Sequence, residues 1–580
     1  MSKTREIVLS TLAFPTANNP ADLFAVGSED LDIDLEALRI VGKEIGLGTW
    51  FNAAPVGWWL RLFGSGTLTL RINGYGHLKV WGAVNGKRFL VADGQVAGEW
   101  AHDFDLESKF EFLWVELCDR ESATLQSMEW SLSSTRIHSS STPAKVTVVV
   151  PTFGLEQEAL KQVGRLLAPS LSDVVARVFV IDQGHTVADC PQYPDVASRF
   201  GARFELIQQE NYGGSGGYAR GMIESLRFPD DAVLLLDDDA VIEVESLRRA
   251  LVISEALGRN TIIGTGLISA ELPTQLASLA EGIQRRNFNW GPSDGVGDGQ
   301  ELTNTTPENW IFLDSNAPVE YSGWWGTLLP VGAVHRIGFP APFFLKWDDA
   351  EYGLRASKKG IQTTTIPGIS TWHPTWAAKG TVSSWSSWPM HRNRLTVAAA
   401  YGASKGVIWD SLIHQIKHIL SLQYASAELW NQAIVQFMDN PDWLTTNLIK
   451  TRVISQAFLD GLPKIRPDLT FEENSQPKHI FVQTARGIAG IFRPAKIAQS
   501  GHCKGIDYNW SKSLGMDGYA ITRNGAVEAL VRDPRRARSI LRRTIIEHFR
   551  LMREWKVLQQ EYSKALPEST NSWKETLQLR

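Results

Sequence analysis

Three consecutive acids, Asp237, Asp238 and Asp239, follow directly after the apolar run at 233–236. Such a run is typical of a strand buried in a parallel sheet, so the acids would lie beyond its carboxyl end, where open α/β sheets bind ligands. Because three adjacent carboxylates repel one another, a half-buried site needs raised pKa values or a cation. Mg²⁺ and Mn²⁺ suit it, since they bind oxygen ligands and are often shared with substrate phosphates. A solvated acidic turn before a helix starting near Val244 is the alternative.

Two further loops carry residue types that bind nucleotides. Asp182, at the end of the predicted strand 178–181, would accept hydrogen bonds from a base or ribose. The loop at 211–217 holds the glycines Gly213, Gly214, Gly216 and Gly217. Glycines let backbone amides and a helix N-terminus approach a diphosphate closely, and Arg220 adds a positive charge.

The position of the glycines decides between nucleotide-binding motifs. A dinucleotide fingerprint belongs after the first strand, whereas the first strand here leads into Pro151, Thr152 and Phe153. The P-loop pattern and the nucleophilic aspartate of haloacid-type phosphatases are also absent. The sequence therefore indicates a nucleoside diphosphate held by a metal at the acidic edge.

The elements that position these loops are predicted to form an α/β domain over residues 144–405. Strands at 146–150, 178–181, 204–208 and 233–236 alternate with helices at 157–167 and 217–226. This spacing predicts a parallel, doubly wound, Rossmann-like sheet whose functional loops share one edge.

Residues 1–143 are predicted to be all-β. Alternating runs at 67–72 and 77–81 flank Asn73-Gly74, a strong turn signal, and 110–117 continues the pattern. We expect a β-sandwich or jelly roll, followed by a Ser/Thr-rich linker at 131–143. Packing in a core or interface is favoured for the cluster Phe51, Trp58, Trp59 and Arg61, with an aromatic sugar platform as the alternative.

Residues 406–580 have helical periodicity, clearest at 409–422, 425–438 and 535–559. The last segment interleaves arginines with apolar residues. A basic amphipathic helix suits an anionic membrane surface, and an oligomerising helix with a charged outer face is an equal alternative.

Composition sets the outer limits. A chain of 580 residues should form two to four domains, and a net charge of -5 gives no reason to expect nucleic acid as a partner. The three cysteines, Cys118, Cys190 and Cys503, lie far apart, which favours a reducing compartment. Neither a signal peptide nor a membrane span is expected. The 22 tryptophans make a carbohydrate ligand worth testing, although most should pack in cores.

Several motifs together resemble the polymerising galactofuranosyltransferases, inverting GT-A enzymes of the family 2 type that build cell-wall galactan from UDP-galactofuranose. The resemblance spans nearly the whole chain. It rests on the segments 51–59, 182–184, 213–217, 237–239, 321–325, 346–352, 371–374 and 391–394, in which Trp-Trp, Trp-Asp-Asp and Trp-His-Pro occur in that order.

The resemblance implies roles for individual residues. His373 would complete a metal shell with Asp237 and Asp239, although a lone histidine in a loop is more often structural. Asp349 would be the base that an inverting, single-displacement transfer needs. Asp238 and His391 would contact the nucleotide.

Acceptor binding would fall to an aromatic and acidic group: Tyr321, Trp324, Trp325, Lys346, Asp348 and Glu281. Two adjacent indoles in an extended segment point in opposite directions, so at least one should be exposed in the cleft. Asp348 with Glu351 also has the form of a helix capping box, and Glu281, in a helix-like stretch, is nearly as readily an ordinary surface acid.

One departure concerns the nucleotide pocket, since the family carries Asn-Arg after Pro-Thr-Phe where Gly154 and Leu155 stand here. The expected function is Mn²⁺- or Mg²⁺-dependent transfer of galactofuranose from UDP-galactofuranose to a lipid-linked galactofuranan. A different nucleotide sugar, or a non-catalytic carbohydrate-binding protein, are the alternatives. A homotetramer in the cytoplasm, peripheral to the inner face of the plasma membrane, is the expected setting.

Overall fold

The computed structural model describes most of the chain. The described residues are 4–16, 18–106, 110–138, 144–297, 299–375, 384–446, 448–462, 479–493, 500–523 and 526–579. Within these ranges, no helix has the length and apolarity that a bilayer span requires.

The N-terminal region is an antiparallel sheet of seven strands with one helix, α1 (Val56–Phe63). The strands are β1 (Arg5–Thr11), β2 (Val26–Gly27), β3 (Asp32–Asp34), β4 (Arg39–Gly46), β5 (Thr67–Val84), β6 (Lys87–Asp105) and β7 (Phe112–Ser134). All seven belong to one hydrogen-bonded sheet, in the order β2-β4-β7-β5-β6 with β1 beside β7 and β3 beside β4. The predicted sandwich or jelly roll is therefore not confirmed.

The hairpin predicted at Asn73-Gly74 is wrong. Both residues lie inside the 18-residue strand β5, where Gly74 marks an irregularity in the pairing with β7. The turn instead uses a second Asn-Gly dipeptide of this region, Asn85-Gly86, whose φ angles of 51° and 73° suit a two-residue hairpin loop. The linker prediction also started too early, because Ser131 and Ser134 are buried in β7. Residues 139–143 lie outside the described residues.

The N-terminal aromatic residues pack against the central sheet, as the favoured interpretation predicted. Phe51, Trp58 and Trp59 are buried. The Phe51 and Trp372 rings lie 5.6 Å apart, and Trp50 Nε1 donates a 2.8 Å hydrogen bond to Ser370 Oγ. One hydrophobic cluster thus continues from the first sheet into the second.

The central region holds a ten-stranded sheet. Its strands are β8 (Val146–Thr152), β9 (Val175–Asp182), β10 (Phe204–Gln208), β11 (Ala232–Leu235), β12 (Val241–Ile242), β13 (Thr261–Ser269), β14 (Gln275–Ser278), β17 (Gln300–Glu301), β18 (Thr327–Leu329) and β19 (Gln362–His373). A separate hairpin joins β15 (Glu281–Gln284) to β16 (Asn289–Pro292). Helices in this region are α2 (Glu156–Leu166), α3 (Tyr193–Phe200), α4 (Gly213–Ser225), α5 (Val244–Ala256), α6 (Ala333–Ile337) and α7 (Asp348–Lys358).

The sheet is mixed, not wholly parallel. Strands β10, β9, β8 and β11 are parallel neighbours, as the βα alternation predicted. Strand β18 then inserts antiparallel between β11 and β13. The prediction failed there because β18 follows a long irregular segment and a hairpin, whereas a parallel neighbour is usually reached through a helical crossover.

The C-terminal region is mainly helical, as predicted. Its helices, with the one leading into it, are α8 (Ser387–Ala400), α9 (Gly406–Leu420), α10 (Tyr424–Asp439), α11 (Lys450–Asp460), α12 (Ile480–Phe492), α13 (Trp510–Ser513), α14 (Pro534–Ser569) and α15 (Trp573–Thr576). A small sheet of β20 (Ser500–Lys504), β21 (Gly518–Arg523) and β22 (Ala526–Val531) was not predicted.

Candidate active site

Two acids and a histidine meet at the carboxyl end of β11. His373 Nε2 lies 3.2 Å from both Asp237 Oδ2 and Asp239 Oδ1. One candidate ligand atom from each residue lies within 4.8 Å of the others. Two carboxylate oxygens and an imidazole nitrogen form a donor set that fits Mn²⁺ or Mg²⁺.

The backbone explains why these residues meet. Strand β12, just after the acids, pairs with the end of β19, so that Val241 lies opposite Trp372. Gln162 stabilises the acidic turn, because its side-chain amide donates a hydrogen bond to the carbonyl of Ala240, the residue after Asp239. His373 is the last residue of β19 and not part of a loop, which corrects the sequence-based placement.

Tyr218 supports the first acid from helix α4. Its hydroxyl lies 2.7 Å from Asp237 Oδ1 and 2.9 Å from Trp324 O. Burial, followed by the charge of Asp237, raises the pKa of Tyr218, so it stays a neutral hydrogen-bonding group at any working pH.

A cavity of about 450 Å³ opens beside these residues. It brings together thirteen of the residues predicted from the sequence. They are Gly213, Gly214, Asp237, Asp238, Asp239, Glu281, Tyr321, Trp324, Trp325, Lys346, Asp348, Asp349 and His373. The candidate metal ligands and the candidate base thus share one cavity.

Five predicted residues do not line this cavity. Asp182 is buried and accepts hydrogen bonds from Gly184 N and Val187 N, which closes its own loop. Gly216 and Gly217 allow close packing, because a Cβ there would lie 2.1 Å from Tyr212 and 2.5 Å from Pro151. Arg220 pairs with Glu224 at 2.7 Å on the same helix.

His391, the fifth, belongs to the helical core. Its ring stacks on Trp430 with 3.8 Å between centroids, and its Nε2 lies 3.0 Å from Ser411 Oγ. Burial lowers its pKa well below the usual histidine value. The structure thus gives this histidine a packing role in the helical core.

The glycine loop is the first turn of α4, which starts at Gly213 and not near Gly217 as predicted. Gly213 has φ 71°, and a Cβ there would lie 2.0 Å from Phe344 O. Gln183 fixes the loop by donating to Gly213 O at 3.0 Å and accepting from Tyr212 N at 3.0 Å. Glycine is therefore required for both conformation and space.

Asp348 and Asp349 begin helix α7. Asp348 is buried and accepts a 2.8 Å hydrogen bond from Ser215 Oγ of α4, whereas Asp349 remains partly exposed. The predicted capping box is wrong, because the N-cap is Trp347 and Asp348 is already the first helical residue. Glu351 pairs with Arg355 instead, at 2.8 Å.

The environment of the two acids raises their pKa values. Burial raises the pKa of Asp348, and the Ser215 hydrogen bond opposes this. Burial, followed by the charge of Asp348, raises the pKa of Asp349, while the Lys346 ammonium opposes the rise. Asp349 is therefore a stronger base than an ordinary carboxylate.

The segment before α7 has unusual backbone geometry. Phe344, Lys346 and Trp347 all have φ between 69° and 73°, which is costly for residues with side chains. Asn393 of α8 lies under this segment, with its Nδ2 at 2.9 Å from Leu345 O and 3.0 Å from Lys346 O. The amide of Asn393 thus holds the strained turn that presents Lys346 and Asp349.

Glu281 lies in strand β15, not in a helix, and is buried rather than a surface acid. It pairs with Tyr321 through an isolated β-bridge and accepts a 3.0 Å hydrogen bond from the Tyr321 hydroxyl. Burial raises the pKa of Glu281.

The two adjacent tryptophans line the cavity, but each is only 6% exposed, so the expectation of an exposed indole is wrong. The Trp324 ring packs between Tyr218 and Tyr352, at 4.9 Å and 5.8 Å. The Trp325 ring lies 6.0 Å from that of His373. Both indoles are held by neighbouring rings and offer only part of their surface to a ligand.

Sequence reasoning missed some residues of the site. Gln183 and Asn393 lie within motifs that were recognised, but their hydrogen bonds to distant carbonyls have no local signal. Trp290, Trp385 and Arg452 also line the cavity. Arg452 comes from α11 of the C-terminal region, where nothing in the sequence pattern indicates a contact with the sheet edge.

Comparisons with known proteins agree along the chain. Residues 143–388 match the model for "Glycosyltransferase like family 2", and residues 407–579 match "Galactofuranosyltransferase-2, domain 3". The chain is 29% identical to galactofuranosyltransferase GlfT2 of Mycolicibacterium smegmatis, over 92% of this chain and 89% of that protein. It is 26% identical to GlfT2 of Mycobacterium tuberculosis, over 100% of this chain and 98% of that protein.

Among solved structures, the chain is similar to GalNAc-T7, crystallised with UDP, GalNAc and Mn²⁺. The TM-score is 0.33 and the identity 10%, over 47% of this chain and 49% of that one.

Proposed function

We propose, from the premise that this chain is a glycosyltransferase and a homologue of the galactofuranosyltransferases, that it transfers galactofuranose from UDP-galactofuranose to a growing galactofuranan chain. The observation that carries the proposal is the convergence of Asp237, Asp239, His373 and Asp349 on one cavity. This arrangement supports a GT-A-type, metal-dependent reaction that inverts the anomeric carbon.

In this reaction Asp349 removes the proton from the acceptor hydroxyl. The hydroxyl oxygen bonds to the anomeric carbon on one face, while the bond from that carbon to the diphosphate oxygen breaks on the other. The raised pKa of Asp349 favours this proton transfer. A cation held by Asp237, Asp239 and His373 would supply positive charge for the departing diphosphate.

The donor occupies the side of the cavity formed by Gly213, Gly214 and Asp238. The acceptor sugar lies between Asp349 and the wall made by Trp324, Trp325, Tyr321 and Glu281. Lys346 and Asp348, beside Asp349 in the sequence, also line this cavity and are proposed to contact the acceptor. Asp182, Gly216, Gly217, Arg220 and His391 do not line this cavity, and their packing and polar contacts support the structure around it.

The proposed acceptor is a galactofuranan on a polyprenyl diphosphate lipid, which would place the enzyme at the inner face of the plasma membrane. Helix α14 carries exposed Ile546 and Phe549 beside exposed Arg542 and Arg550. This face suits an anionic membrane surface or a second copy of the chain within a homotetramer.

A panel of nucleotide sugars tests the proposal, with a short galactofuranoside acceptor and mass spectrometry of the products. We expect UDP-galactofuranose to support elongation in Mn²⁺ and none in EDTA. Elongation from another nucleotide sugar alone would replace the donor assignment. Equal elongation in EDTA would show that the reaction does not depend on a metal ion.

A further inference from the structure

Arg452 of helix α11 reaches the cavity from the C-terminal region. It lines the same cavity as Asp237, Asp238 and Asp239, although the rest of its helix packs against α10. The reaction proposed above gives Arg452 no role.

The Arg452 guanidinium lies between two aromatic rings. Its central carbon is 4.9 Å from the Phe153 ring centroid and 5.8 Å from that of Trp385. Such contacts orient a guanidinium while leaving its N–H groups at the edge free to bind an anion.

Both rings line the cavity in which a nucleotide would bind. Phe153 comes directly after β8. Trp385 lies 5.9 Å from the Phe344 ring, and Phe344 O accepts a hydrogen bond from Ser215 N in the first turn of α4. Arg452 therefore contacts the residue after the first strand directly and is linked to the start of α4 through Trp385 and Phe344.

The cavity is mostly acidic, so few of its residues can balance the charge of a bound phosphate. Its wall carries the acids Asp237, Asp238, Asp239, Glu281, Asp348 and Asp349, against the cations Lys346 and Arg452. Lys346 lies close enough to act on Asp348 and Asp349, since burial raises the pKa of both carboxyls and the Lys346 charge opposes this rise. The loop after β8 supplies no cation itself, since Phe153 is followed by Gly154, Leu155 and Glu156. Within the described part of the chain, Arg452 forms no ion pair.

We propose that Arg452 binds the phosphate groups of the nucleotide-sugar donor, so that the C-terminal helical region completes the donor site. A guanidinium matches a phosphate by paired N–H···O bonds, which a lysine cannot reproduce. The inference rests on one part of the proposed function, namely that the donor is a nucleoside diphosphate sugar.

Binding of UDP and of uridine, measured by calorimetry with Mn²⁺ present, tests Arg452→Gln and Arg452→Lys. Lys450→Gln is the matched control, because Lys450 is an exposed cation on the same helix and does not line the cavity. We expect Arg452→Gln to weaken UDP binding about 10- to 100-fold, as loss of a charge-assisted hydrogen bond does, and to raise the donor KM similarly. Uridine binding should stay unchanged, and Arg452→Lys should recover part of the loss.

Two results would overturn the inference and leave the proposed function standing. One is UDP binding by Arg452→Gln equal to that of Lys450→Gln, with normal turnover in the wild type, which leaves the proposed function intact. The other is an equal loss for uridine and UDP, which would place Arg452 at the base. A wild type that bound no UDP would remove the proposed function and this inference together.

Discussion

His373 Nε2 lies 3.2 Å from Asp237 Oδ2, so the last residue of β19 meets the first acid after β11. The two residues approach because β19 pairs with β12 and with β13, whose Ser269 lies opposite His373. The candidate cation site thus combines a local motif, Asp237 to Asp239, with a histidine that the sheet topology brings to it.

Replacing His373 with alanine should weaken activation by Mn²⁺ at least about tenfold, because one of three protein ligands is lost. The measurement is UDP-galactofuranose turnover titrated with Mn²⁺. His335→Ala, at an exposed histidine of α6, is the control. An unchanged Mn²⁺ titration would show that His373 is not a ligand.

Replacing Asp349 with asparagine should lower kcat about 100- to 10,000-fold, the range expected when a general base is removed. UDP binding should persist, because the phosphate and cation contacts remain. Asp230→Asn, on the surface, controls for the loss of a carboxylate. Full activity in the Asp349 variant would exclude this residue as the base.

The pH dependence of kcat should report the raised pKa of Asp349. The base acts only when deprotonated, so the rate should fall as pH drops through a pKa above the usual aspartate value of about 3.9. The Asp348 charge contributes to the rise, so Asp348→Asn should move this acid limb to lower pH. A limb that stayed in place would contradict the coupling between the two acids.

Removing the Asn393 amide should loosen the turn that precedes α7. Asn393→Ala leaves the carbonyls of Leu345 and Lys346 without their donor, which should cost at least about 1 kcal/mol in unfolding free energy. Asn393→Asp should cost more, because a carboxylate would face those carbonyls. Denaturant unfolding and kcat together check this, and an unaltered kcat in a destabilised variant would limit Asn393 to a structural role.

Replacing Gly213 with alanine should disrupt the start of α4. The added Cβ would lie 2.0 Å from Phe344 O at a φ of 71°. We expect weaker UDP binding and a lower melting temperature. Gly164→Ala in α2 is the control, since a Cβ there meets nothing within 4 Å and alanine favours the helix. UDP affinity equal to that of the control would show that the glycine is dispensable.

The sequence predicts the strands well where a short apolar run precedes a turn, as at β8 through β11. It fails where two signals of equal strength compete. Asn73-Gly74 and Asn85-Gly86 are the same dipeptide, and only the pairing of β5 with its neighbours on both sides decides which one turns. Asp348 and Glu351 likewise have capping-box spacing, but Ser215 and Arg355 engage them instead.

The candidate site divides in the same way. Acids at a strand end and glycines at a helix start are visible in sequence, because local chemistry constrains them. The roles of Asn393 and Arg452 are not visible, because each acts through contacts with segments distant in the chain. His391 is a motif residue that lies outside the cavity, where it stacks on Trp430 and contacts Ser411.

The tilted ring contact between Phe51 and Trp372 has a consequence for engineering. Trp372 immediately precedes a candidate metal ligand, so the N-terminal region packs against a residue that positions the reaction centre. We therefore do not expect this region to be removable without an effect on the site. A chimaera that takes this region from a relative should therefore carry both rings of the aromatic contact. Otherwise we expect His373, the candidate metal ligand next to Trp372, to shift.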